Sequence, residues 1–84
     1  MGAVDLLMEL EEIFDIEISD EAAENTRTVG ELQALVLSLL AENRRPQDAA
    51  DVYERIKRIL IEFHGIPEAR IRPEATFFDD LGLD

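Results

Sequence analysis

Apolar residues recur at three- and four-residue intervals in three stretches of this chain and alternate for any length in none, so it must fold as helices that each bury one face. Leu6, Leu7, Leu10, Ile13 and Phe14 make the first stripe, predicting a helix over residues 3–15. Asp5, Glu9, Glu12 and, near the edge, Glu11 fall on its other side. Val29, Leu32, Leu35, Val36, Leu39 and Leu40 make the second stripe. Val52, Ile56, Ile59, Leu60 and Phe63 make the third, within residues 49–63, with Tyr53 at its margin.

The punctuation between the stripes is specific. Asp15-Ile16-Glu17-Ile18 suits a short extended turn into the core. Ser19 reads as an N-cap for a short helix over residues 20–25, with Asp20 and Glu21 favouring the helix dipole in its first turn. Thr28-Val29-Gly30-Glu31 is a capping box, with threonine at N-cap and glutamate three residues on. Asn43-Arg44-Arg45-Pro46-Gln47 breaks the chain, Asp48 can cap the next helix, and Gly65 stops it. The last twenty residues, with Pro67 and Pro73, read as a structured loop. Ile66, Ala69, Ile71, Ala75, Phe77 and Phe78 are expected to fold back over the core. The expectation is one all-α domain over residues 1–84, a small four-helix bundle of three longer helices and a short one. A chain of this length buries only about 60% of its unfolded surface, enough for a single thin core.

Several chemistries are excluded by residue type. There is no cysteine, so disulfides, zinc–thiolate sites and thiol nucleophiles are absent. His64 is the only histidine; before Gly65 it reads as a helix-end residue that favours the negative dipole. No phosphate-binding glycine loop and no EF-hand pattern occurs, and no metal site is expected. No apolar run approaches the ~20 residues of a membrane helix, and no basic segment precedes an apolar one as in a signal peptide. The expectation is a cytoplasmic protein without membrane insertion. The net charge of −12 repels nucleic acid. Its placement is uneven: residues 1–26 hold nine acids and no base, Arg27 being the first. Such a field attracts basic partners, although a charged face would also keep any small domain soluble.

The two ends read together carry a resemblance. Phe77-Phe78-Asp79-Asp80-Leu81-Gly82-Leu83-Asp84 resembles the stretch that leads into the modified serine of acyl carrier proteins. Leu10-Glu11-Glu12-Ile13-Phe14, continued by Asp15-Ile16-Glu17-Ile18-Ser19-Asp20-Glu21, resembles the family's sequence on the far side of that serine. The likeness covers nearly the whole chain in rotated order. Residues 1–42 would be the family's second to fourth helices, 43–48 a linker, and 49–84 its first helix and long loop. The chain looks like a circular permutant opened at the modification site. Where Asp84 would meet Met1, the family's serine is missing.

The resemblance implies a non-catalytic carrier of acyl intermediates, held as thioesters on 4′-phosphopantetheine in fatty acid or polyketide biosynthesis. The attachment serine is absent, flanked by Asp84 and Met1. By the family's pattern Met1, Val4, Asp5, Met8, Glu9 and Glu12 would face the basic surfaces of a phosphopantetheinyl transferase and acyl-processing enzymes, with Glu11, Asp15, Glu17 and Asp20 reinforcing the field. Leu6, Leu7, Leu10, Ile59 and Phe63 would line the core that shelters an acyl chain. A monomer is expected, with a helix-swapped dimer as the alternative. Two other readings compete: an engineered or structural permuted scaffold without carrier activity, and an acidic helical protein-interaction module.

Overall fold

The computed structural model describes the backbone of residues 2–82 and the side chains from Asp5 onward. Four α-helices succeed one another: α1 (Gly2–Phe14), α2 (Asp20–Glu24), α3 (Val29–Glu42) and α4 (Ala49–His64). A single 3-10 turn, Glu68–Arg70, interrupts the C-terminal loop. Among the described residues there is no sheet, only an isolated bridge between Thr28 and Thr76. The domain is a small all-α bundle of three longer helices and one short one, 32 × 25 × 20 Å across.

Each helix starts and stops where local chemistry directs. Ser19 Oγ accepts from Ala22 N and opens α2. Asp48 Oδ2 accepts from Ala50 N and opens α4. Gly65 closes α4 with φ 66°, a left-handed value that costs glycine nothing. The other two long helices end without glycine. Asp15 (φ 55°) and Arg44 (φ 59°) take the left-handed position after α1 and α3. Their closing bonds run from Ile16 N to Glu11 O and from Arg45 N to Leu40 O, 3.1 and 2.8 Å. The two ends meet in space, because the Arg45 guanidinium donates to the Asp15 carbonyl and lies 4.0 Å from its carboxylate.

The core is a single cluster. Leu6, Leu10 and Phe14 of α1 meet Leu32, Val36 and Leu40 of α3 and Val52, Ile56 and Leu60 of α4. Burying each such side chain contributes about 1.5–3 kcal/mol. α3 packs most extensively on α4 and α1 less so. α1 and α4 run in opposite senses, since the Arg55 guanidinium lies over the Phe14 ring at 5.7 Å while His64 meets Glu9.

The C-terminal loop completes the bundle through Ile66, Ile71, Ala75, Phe77 and Leu81, all buried. Four stripe or loop assignments need correction. Phe63 is 64% exposed and does not join the core. It lies on the correct side of α4 but one turn past Ile59 and Leu60, where the chain reverses at Gly65 and Ile66 folds in instead. Ile13 is 43% exposed, because the buried arc of α1 centres on Leu6, Leu10 and Phe14 and leaves Ile13 at its edge. Ala69 and Phe78 face solvent on turns whose neighbours, Ile71 and Phe77, take the inward positions.

The loop is fastened to the start of α3. Val29 N donates to Ala75 O at 3.0 Å and Gly30 N to Pro73 O at 2.8 Å. The capping box is complete: Glu31 N donates to Thr28 Oγ1, and Thr28 N to Glu31 Oε1, both 3.1 Å. A Cβ on Gly30 would lie 3.0 Å from Pro73 O, inside ordinary contact. Two carboxyls hold this corner as anions. Glu31 is held below its usual value by the backbone N–H groups of Arg27 and Thr28, and Asp80 by the backbone N–H and then the hydroxyl of Thr76.

Two outcomes are expected. Gly30→Ala should lower the urea midpoint, although alanine favours a helix over glycine by about 0.5–1 kcal/mol, because the methyl pushes the loop carbonyl off its donor. Acid should loosen the same corner. A carboxyl whose folded value is depressed gives stability that is complete above the ordinary carboxylate value of about 4 and is lost as pH falls through the folded value. Urea titrations at descending pH should show that loss, and Glu31→Gln with Asp80→Asn should flatten it.

Candidate functional site: the acidic face of α1 and α2

A helix that buries Leu6, Leu10 and Phe14 must turn residues 5, 8 and 12 outward. Asp5, Met8 and Glu12 are accordingly exposed, Met8 by 57%. Glu17, Asp20, Glu21 and Glu24 extend the exposed acids through the connection and α2. The result is a negative ridge with an apolar thioether set into it. Met1, the side chain of Val4 and Asp84 lie outside the described residues.

Three acids of the expected face have other duties. Glu9 turns aside to α4, where its Oε1 lies 2.9 Å from His64 Nε2, with side-chain exposures of 30% and 10%. Glu11 is half-buried, and its Oε2 accepts from Ile18 N at 2.8 Å, bracing the turn between α1 and α2. Asp15 receives Arg45 at the far end through its backbone carbonyl, while its carboxylate stays 94% exposed, 4.0 Å from the guanidinium. Nothing in the local sequence distinguishes these three from Asp5 or Glu12, because each partner lies 7 to 55 residues away. The one available signal was His64, a lone imidazole at a helix end, and it does not name its acceptor.

Of the expected acyl-lining residues, Leu6, Leu10 and Ile59 are buried and Leu7 is half-buried. Leu7 and Met8 join Ile18 and Ala23 to floor a cleft of about 400 Å³ between α1 and α2, rimmed by Glu11, Asp20 and Glu24. A larger hollow of about 580 Å³ lies at the other end, around Asp15, Leu39, Glu42 and Arg45. Its walls are mostly polar and those of the smaller cleft mostly apolar, so the smaller cleft is the better seat for an apolar group.

Ser19 Oγ is occupied as a helix cap, and Ser38 is exposed midway along α3. Among the described residues no three of His, Cys, Asp and Glu converge to hold a metal ion. No described helix is long and apolar enough to cross a membrane.

The two kinds of acid should separate on mutation. Glu9→Ala and His64→Ala should each lower stability by about 1 kcal/mol, the scale of a half-buried hydrogen bond. Glu12→Gln and Asp5→Asn should stay within about 0.5 kcal/mol, as read from urea midpoints. No protein-family model matches the chain, and no solved structure matches it.

Proposed function

We propose that this chain has the plan of an acyl carrier protein in permuted order, and that α1 and α2 form its docking face for the basic surfaces of a phosphopantetheinyl transferase and acyl-processing enzymes. The observation that carries the reading is the exposed ridge of Asp5, Met8 and Glu12 beside an apolar-floored cleft with an acidic rim. Long-range attraction by such a ridge raises encounter rates with a cationic partner, and an apolar side chain within it supplies contact once charges have aligned.

The residues present do not fit the prosthetic group. Ser19 is committed to its cap and Ser38 is exposed midway along α3, so neither serine is offered as an attachment point. In the family the chain resembles, the prosthetic group carries acyl intermediates of fatty acid or polyketide biosynthesis, and this surface would meet the enzymes that act on them.

Intact mass after incubation with coenzyme A and a phosphopantetheinyl transferase tests this. The chain itself should gain nothing, and a chain with a serine added after Asp84 should gain one phosphopantetheine. Failure of the serine-bearing chain to be modified, while its helical content and cooperative melt are unchanged, would remove the carrier reading.

A further inference from the structure

Phe78 is 72% exposed, the most exposed large apolar side chain among the described residues. It does not sit on a loose tip. Thr76 N donates to Asp80 Oδ2 at 2.8 Å, Asp80 N to Thr76 O at 3.1 Å and Leu81 N to Thr76 O at 3.0 Å. Phe77 and Leu81, on either side, are buried at 8% and 4% exposure. Phe77 N is further tied to Arg27 O at 3.0 Å, across to the start of α3. The turn is therefore fixed at both shoulders, and Phe78 is held out between them. The core neither needs nor uses this ring.

We propose that Phe78 is an anchor for a protein partner that offers an apolar pocket rimmed by basic side chains. A rigidly presented aromatic loses little freedom on binding and fills a pocket with large contact area. Charge sets the chemistry of the partner. Asp79 is exposed next to Phe78, and the chain as a whole carries −12, so a pocket with a cationic rim is attracted and an acidic one repelled. The same net charge opposes a second copy of this chain as the occupant. The proposal rests on the carrier reading for its choice of partner.

The test is direct binding of a phosphopantetheinyl transferase to the unmodified chain, measured by calorimetry at low and moderate salt, with Phe78→Ser, Phe78→Tyr and Asp79→Asn as variants. Phe78→Ser should melt with the parent chain yet bind at least tenfold more weakly. Phe78→Tyr should restore most of the affinity, and Asp79→Asn should weaken binding chiefly at low salt. Equal affinity of the parent and Phe78→Ser would overturn the anchor and leave the carrier reading standing. No binding by the parent chain would overturn the carrier reading, and this inference with it. A parent chain that light scattering finds dimeric, and that becomes monomeric with Phe78→Ser, would assign the ring to a second copy and overturn the proposal.

Discussion

Four backbone amides open α3, and none can be satisfied by the helix's own carbonyls. Two are answered locally by the exchange between Thr28 and Glu31. The other two, on Val29 and Gly30, are answered by carbonyls of Ala75 and Pro73, more than forty residues along the chain. Leaving such donors unmet in a partly buried position costs about 1–3 kcal/mol each. The C-terminal loop is therefore the missing cap of the central helix. Its seating brings Ala75 and Phe77 into the core, and the Thr76–Asp80 turn inherits its position from the same contact. Lys57 on α4 adds a strap from the other side through Glu68, at 3.1 Å.

This division explains what was legible in the sequence. Helix starts that depend on residues three apart, such as Ser19 with Ala22 and Thr28 with Glu31, are written locally and are found where expected. Gly65 and the left-handed stop of α4 are equally local. The anchoring of the loop is not, because carbonyl acceptors carry no side-chain signature. Periodicity gives the direction of a side chain and not the extent of its partner. Phe63 has the right phase and no neighbour to cover it, and Ile13 falls at the edge of the buried arc.

Charge was legible as a total and not as a set of roles. The acids crowded into the first third of the chain look alike in sequence, yet they divide in three dimensions. Glu9 and Glu11 are tied to His64 and to the α1–α2 turn, whereas Asp5, Glu12, Glu17 and Asp20 stand in water. The exposed set alone makes the negative ridge, which is narrower than the composition implies. Removing Glu9 or Glu11 from it also means that α1 is braced on both flanks, toward α4 and toward α2. A helix held this way presents its outward residues in one orientation, which lowers the ordering cost of any contact they make.

The contact of Arg45 with Asp15 divides the connection between α3 and α4 into two parts of different character. Residues 43–45 form the closing turn of α3 and reach across to the end of α1. Pro46 and Gln47 have no regular structure and lie exposed before Asp48 caps the next helix. Lengthening the chain after Arg45 only enlarges a surface loop, and each doubling of loop length adds about 0.6 kcal/mol of closure entropy. Lengthening it before Arg45 carries the guanidinium away from α1 and unties two helix ends at once. The connection is thus a clasp joined to a tether, and only the tether is free to vary in length.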